Sequence, residues 1–375
     1  MMNIPMVDLK TQYLKVKQEI DAAILNVVEN TAFINGPAVK EFQASLEKYM
    51  DVKHVIPCAN GTDALQIAMM ALDLKPGDEV ITTSFTFVAT VEVIALLQLT
   101  PVLVDALPGT YNIDPVSLEN AITPKTKAIV PVHLFGQCAD MESILRIAQK
   151  HNLAVIEDNC QAVGALYTFS DGTRKQAGTM GNVGTTSFFP SKNLGCYGDG
   201  GAMFTNDDAL AEKLRVISNH GMKVRYYHDS IGVNSRLDTI QAAVLNVKLA
   251  QLDEYIANRQ RAAAHYDKAF AGHEKLAIPV RDPKSTHVFH QYTLVLCGVD
   301  RAALQASLQE KGISSMVYYP VPMHMQKAYM DARYKEGDFP VTETLSHNVI
   351  SLPMHTELTH EQLDYIVAGV LDSLK

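Results

Sequence analysis

The chain has no tryptophan, and its five cysteines are scattered over 375 residues. Cys58, Cys138, Cys160, Cys196 and Cys297 form no CxxC pair and stand at no Cys/His ligand spacing. An odd, dispersed set of this kind excludes a disulfide-stapled scaffold and a zinc ribbon. It reads as reduced thiols in a cytoplasmic protein, each a small buried apolar residue. Long hydrophobic runs are missing too. The most apolar long window, Val91 to Val104, is interrupted by Glu92 and Gln98, and is too short and too polar to span a bilayer. The first twenty residues lack the unbroken apolar core of a secretory signal. Positive charge is in deficit, with 32 Lys and Arg against 41 Asp and Glu. The bulk charge therefore gives no sign of nucleic-acid binding. GxGxxG, GxxxxGK[ST], HExxH and GxSxG are all absent, and the 13 histidines do not cluster at metal-ligand spacing, so no metal is expected.

What remains is an ordinary globular composition, 47% hydrophobic and 19% charged. The length suits two domains, or one large domain with a smaller appendage. Short apolar runs alternate with helical patterns. Val55–Cys58, Glu79–Thr82, Pro101–Asp105, Ala128–His133 and Leu153–Asp158 read as strands. Helices are expected from about Thr62 to Leu72, towards Leu97, and from Met141 to Lys150. Continuous apolar strands separated by helices imply a mostly parallel sheet covered on both faces. Ser235 to Asp267 reads as one long helical region. Beyond about Ala277 the pattern changes. His287 to Leu296 alternates like a half-exposed strand, and Asp300 to Lys311 reads as a helix ended by Gly312. The expected class is α/β, with a large domain over 1–245 and a bridging helix plus a smaller α+β domain over 246–375. Ser170–Gln176 reads as a polar loop or hairpin.

Several segments could carry chemistry. Lys192 follows an apolar run and precedes a turn rich in glycine, at Gly195, Gly198, Gly200 and Gly201. A lysine held in a partly desolvated site loses proton affinity and can form a Schiff base, whereas a lysine in an ordinary loop does neither. Asp158 ends a buried run, at the carboxyl edge where open α/β sheets bind ligands. It could face a cation or simply cap a helix. Asn60-Gly-Thr-Asp-Ala-Leu65 opens a helix, which suits a phosphate site or capping by Thr62 or Asp63. Phe85 and Phe87 offer rings for stacking or for core packing. Asn234 and Arg236 sit beside another helix start, where they could bind anions or cap.

Read together, these segments resemble the DegT/DnrJ/EryC1/StrS family of sugar aminotransferases, which use pyridoxal 5'-phosphate (PLP) and have the aspartate-aminotransferase (type I) fold. The resemblance spans nearly the whole chain. It runs from Asp8-Leu-Lys and Gly36-Pro through Asn60–Leu65, Pro76–Ile81, Thr86–Thr90, Gly136-Gln and Glu157–Ala162. It continues through Ser187–Lys192, Gly198–Ala202, Gly232–Asp238 and Tyr319-Pro-Val-Pro. It implies that Lys192 carries the cofactor as a Schiff base and that Asp158 pairs with the pyridine nitrogen. It further implies that Phe87 stacks on the ring, that Gln161 meets the ring's hydroxyl side, and that Gly61, Thr62 and Ser187 hold the phosphate. Asn234 would reach the phosphate from a neighbouring subunit, in a homodimer with shared active sites.

The resemblance implies transfer of an amino group from L-glutamate to a nucleotide-linked keto sugar, with the freed Lys192 amine moving the α-proton. The nearest group by motif is the one that aminates UDP-2-acetamido-2-deoxy-3-oxo-glucuronate for surface polysaccharides. In that group Arg236 would pair with the sugar carboxylate, and Tyr318 and Tyr319 would meet the sugar. Position 318 is tyrosine where that group leads one to expect histidine, so UDP- or dTDP-linked 3-oxo or 4-oxo 6-deoxy sugars stay open. A PLP sugar dehydratase would replace Lys192 with histidine, and a non-catalytic regulator would lose Lys192 or Asp158. Both residues are present.

Overall fold

The computed structural model describes residues 2–375. The strands are, in chain order, β1 (His54–Cys58), β2 (Glu79–Thr83), β3 (Thr100–Val104), β4 (Thr126–Val130) and β5 (Ala154–Asp158), then a hairpin of β6 (Leu166–Thr168) and β7 (Arg174–Gln176). Next come β8 (Val183–Ser187), β9 (Gly201–Thr205) and a second hairpin, β10 (Met222–Val224) with β11 (Tyr227–His228). The last are β12 (Leu276–Ala277), β13 (Tyr292–Leu296) and β14 (Val349–Leu352).

A seven-stranded sheet in the order β1-β9-β8-β5-β4-β2-β3 is the centre of the molecule. β9 is antiparallel to both of its neighbours, and the other pairings are parallel. Side chains alternate across a strand, so each strand feeds two cores. Ile81, Ile129 and Val155 join one apolar cluster, with Phe42, Leu46, Ile144, Ile147 and Leu245 from covering helices. Val80, Ala128, Val130 and Ile156 join the other, under Leu65, Ile67 and Ala68 of the helix Gly61–Ala71. Burial on both faces is why these strands read as short apolar runs rather than as an alternation.

A second, antiparallel sheet, β12-β13-β14, lies in the C-terminal part. It packs with the helices Leu252–Phe270, Arg301–Glu310 and His360–Ser373 around Tyr266, Tyr292, Leu294 and Ile350. Ile4, at the opposite end of the chain, is fully buried in the same cluster.

The observed class is the expected α/β one, with three local differences. The helical stretch over 235–267 is two helices, Thr239–Leu249 and Leu252–Phe270, broken at Ala250 and Gln251. The segment from His287 is not half-exposed. His287, Val288 and Phe289 are buried, and the strand begins only at Tyr292, because Phe289 takes the left-handed region (φ 47°) and interrupts the extended run. Gly312 ends its helix as expected, with φ 72°. All five cysteines are free, and Cys297 is exposed rather than buried. No helix among the described residues is long and apolar enough to cross a membrane.

Candidate active site

The carboxyl edge of the sheet opens into a cavity of about 760 Å³. The segments after β1, β2, β5 and β8 form its floor, and His290–Gln291 and Tyr318–Tyr319 close it from the C-terminal part. Gly61, Thr62, Phe87, Asp158, Gln161, Ser187, Lys192, Tyr318 and Tyr319 all line it.

Lys192 follows β8, and its backbone N–H donates to the Phe189 carbonyl at 2.8 Å. Its amine has no hydrogen-bond partner among the described residues. Burial lowers its proton affinity, and the nearby Cys160 and Asp158 oppose that shift. The result is a lysine biased towards the neutral, nucleophilic form.

Asp158 ends β5 and is 6% exposed. One carboxylate oxygen accepts from the Thr90 hydroxyl at 2.8 Å, and the other accepts from the Cys160 N–H at 3.1 Å. No lysine or arginine among the described residues forms an ion pair with it. Its neighbour Glu157 is committed elsewhere, accepting from His133 and from the amides of Gly178, Met180 and Gly181. A buried carboxylate without a cation of its own suits a cationic ligand group.

Helix Gly61–Ala71 points its N-terminus at the cavity. Asn60 caps it, its Oδ1 accepting from the Asp63 N–H at 2.8 Å. The expected capping by Thr62 or Asp63 is thus taken by Asn60, because Asn60 alone stands in the extended conformation before the first turn. The amides of Gly61 and Thr62 and the Thr62 hydroxyl have no partner among the described residues. A Cβ at Gly61 would come within 2.8 Å of both Cys160 Sγ and the Ser187 Cβ. Only glycine lets this helix start approach the end of β8, so unpaired donors and the Ser187 hydroxyl converge on one spot suited to a phosphate.

Phe85 is wholly buried, but Phe87 is 53% exposed on the cavity wall. Phe85 packs the core while Phe87 presents its ring. Gln161 is held at both ends by hydrogen bonds to Phe135 and Tyr319. Burial raises the proton affinity of the Tyr318 phenol. Asn234 and Arg236 do not line the cavity of the single chain. They lie in the segment before helix Thr239–Leu249, where Arg236 donates to the Asn234 side-chain oxygen.

Residues 14–371 match the model of the DegT/DnrJ/EryC1/StrS aminotransferase family. The chain belongs to that family. It is 48% identical to the "Pleiotropic regulatory protein" of Geobacillus stearothermophilus, over 99% of this chain and 98% of that one. It is 47% identical to the UDP-2-acetamido-2-deoxy-3-oxo-D-glucuronate aminotransferase of Pseudomonas aeruginosa, over 98% and 99% of the two chains. A crystal structure of DesV from S. venezuelae, in complex with a ketimine intermediate, superposes with a TM-score of 0.95 at 37% identity, covering both chains completely.

Family membership makes the chain a PLP-dependent sugar aminotransferase on the fold of that enzyme class. The residues present suit the cofactor. The chain offers a neutral-biased lysine, a buried carboxylate lacking a cation, a glycine-permitted phosphate cradle and an exposed aromatic ring. Members of the family act on nucleotide-linked keto sugars.

Three cavity residues, and one behind the cavity wall, escaped the sequence reading. Thr90, which orients Asp158, lay inside a helical run. Asp199 was passed over among the glycines of its turn. His290 and Gln291 sit in the interrupted approach to β13, about a hundred residues from Lys192. The imidazole Nδ1 of His290 is buried without a partner among the described residues, a signal that no linear pattern carries.

Proposed function

We propose that this enzyme transfers the amino group of L-glutamate to a UDP-linked 2-acetamido-3-oxo-glucuronate, in the cytoplasm, for surface polysaccharide synthesis. The observation that carries the catalytic half is the convergence of Lys192, Asp158 and the Gly61 helix start on one cavity. PLP supplies an electron sink for carbanion chemistry. In this reading Lys192 holds the cofactor, and its freed amine carries the α-proton between donor and cofactor. Asp158 keeps the pyridine nitrogen protonated. Gly61, Thr62 and Ser187 hold the phosphate, Phe87 covers the ring, and Gln161 meets its hydroxyl side. Tyr318 and Tyr319 face the sugar.

Asn234 and Arg236 complete the site from a second copy, in a homodimer. Their position outside the single chain's cavity supports that assignment. So does the exposed apolar surface nearby, where Phe33, Ile34, Tyr226, Tyr227 and Ile231 are 45% to 87% exposed. Ile34 is bridged to Asp238, two residues beyond Arg236. Arg236 then presents its fork of donors to the sugar carboxylate.

One observation favours a second acceptor, a UDP- or dTDP-linked 3-oxo or 4-oxo 6-deoxy sugar. Lys192 is the only cationic side chain lining the cavity of the single chain among the described residues, against three aspartates, Asp63, Asp158 and Asp199. Position 318 adds a neutral phenol. The two acceptors separate in one experiment. PLP-loaded enzyme is given L-glutamate, then a panel of UDP- and dTDP-linked 3-oxo and 4-oxo sugars, with and without the carboxylate, and amino sugar formation is measured. Turnover of the uronic acid, reduced at least tenfold by Arg236→Ala, supports the first reading. Turnover of the 6-deoxy sugars alone selects the second. A protein that shows no visible absorbance with PLP, or a Lys192→Ala variant as coloured as the wild type, would sink both.

A further inference from the structure

The turn that carries Lys192 is closed on itself. The Cys196 N–H donates to the Phe188 carbonyl at 2.8 Å, and the Cys196 thiol donates to the same oxygen at 3.0 Å. A Cβ at Gly195 would come within 2.4 Å of the Pro190 carbonyl oxygen, so the two arms of the loop touch and only glycine fits between them. The base of this loop therefore fixes where Lys192 stands.

The helix Thr239–Leu249 lies under that base and grips it twice. Gln241 Oε1 accepts from the Tyr197 N–H at 2.8 Å, and its Nε2 donates to the Tyr197 carbonyl at 3.5 Å. Lys248 stands about two helical turns further on, and so on the same face. Its amine donates to the Gly195 carbonyl at 2.7 Å and lies 4.7 Å from the centre of the Tyr197 ring. Lys248 is 1% exposed, and no carboxylate among the described residues pairs with it. An apolar side chain of similar length would fill the place without the cost of burying an amine. What the amine adds, and an apolar chain would not, is the hold on Gly195.

We propose that Lys248 and Gln241 are positioning residues that act through the Lys192 turn: they hold its base from the helix beneath, so that the Lys192 amine stands ready to join an aldehyde in the cavity. The inference rests on the cavity being the PLP site. In that joining the Lys192 amine displaces the aldehyde oxygen of PLP as water and a C=N bond forms. A misplaced amine slows this step even where the cofactor still binds. Pyridoxamine 5'-phosphate (PMP) has the same ring and phosphate but an amine in place of the aldehyde, so it occupies the cavity without joining Lys192. The two ligands therefore separate the position of Lys192 from the shape of the site.

The test mixes cofactor-free wild type, Lys248→Met and Gln241→Met with saturating PLP at pH 7, and the growth of visible absorbance gives the rate of joining. PMP titrations give the affinity of the cavity, and thermal melts check the fold. Lys248→Met should join PLP about tenfold more slowly while binding PMP within about twofold of wild type. It should melt no lower than wild type, since a buried amine is removed. Gln241→Met should show the same split between rate and affinity. A slowing of less than about threefold in Lys248→Met overturns the proposal. So does a PMP affinity that falls by the same factor as the rate, because a general loosening of the site would do that. Should Lys248→Met fail to fold, an unchanged rate of joining in Gln241→Met is the refuting result. A wild type that develops no absorbance with PLP refutes the cofactor-site reading instead, which keeps the two failures apart.

Discussion

Replacing Asp158 by asparagine separates a carboxylate that serves the cofactor from one that serves the fold. The Cys160 N–H requires an oxygen, so the new carboxamide must keep its oxygen there and turn its NH₂ towards Thr90. The Thr90 hydroxyl, now a donor, can rotate to accept. Both local hydrogen bonds survive, and an unpaired buried charge disappears. The stability of the cofactor-free protein should therefore change by no more than about 1 kcal/mol, in either direction. The loaded protein is different. Breaking a buried charge pair by neutralising one partner costs about 3–5 kcal/mol, or on the order of 10²- to 10⁴-fold in cofactor affinity and turnover combined. The assay is a PLP titration by absorbance, with melting curves of the free and loaded protein and the single-turnover rate of amino-group uptake from L-glutamate. The expected result is an unchanged melt without PLP and a lost stabilisation with it. Equal destabilisation of both forms would show that Asp158 holds the strand end rather than the cofactor. Unchanged affinity and rate would refute the pairing altogether.

Two further perturbations follow from the same geometry. Gly61→Ala forces a Cβ to within 2.8 Å of Cys160 and Ser187, and overpacking of about 1–3 kcal/mol should fall on the phosphate cradle. PLP affinity should drop roughly tenfold or more by the same titration, and the melt of the free protein should fall too, because the clash is with protein atoms present without the cofactor. Lys248, which donates to the Gly195 carbonyl at 2.7 Å beneath the Lys192 turn, is 1% exposed, and burial brings its pKa down to about 8. Its folded pKa lies below its unfolded one, so the fold carries a penalty that is full below about pH 8 and fades as pH rises towards the ordinary lysine value near 10.4. Lys248→Met should therefore gain stability relative to wild type at pH 7, by at most about 3 kcal/mol before the lost carbonyl bond is counted. That relative gain should shrink between pH 8 and 10. Denaturant melts across that range check it, and a pH-independent difference refutes it.

The sequence was most readable where a residue's neighbours in the chain are also its neighbours in space. The central strands are buried on both faces, so β2, β4 and β5 carry the short apolar runs Val80-Ile81, Ala128–Val130 and Ala154–Ile156. Lys192 and the Gly61 turn carry local marks, glycine where the backbone must pass closely and a helix start beside a strand end. The C-terminal wall carried no such mark. His290 and Gln291 follow Phe289, whose left-handed backbone breaks an alternation that otherwise reads as a strand. Arg259, buried on helix Leu252–Phe270, donates to the carbonyls of Phe289, His290 and Met354. That three-way tie joins segments as much as 95 residues apart, and no periodicity in any one of them announces it.

The same distinction explains why Tyr319 changed meaning between sequence and structure. In the chain it is the first residue of Tyr-Pro-Val-Pro, a pattern that by itself says only that the backbone is extended, and the family resemblance adds a place beside the sugar. In space its oxygen meets a glutamine anchored after β5, and its ring meets phenylalanines from the ends of β2 and β4. The tie from Tyr319 to Gln161 therefore holds the C-terminal wall against the strand end that carries Asp158. A movement that opened the cavity at Tyr318–Tyr319 would break the Gln161 contact as it did so.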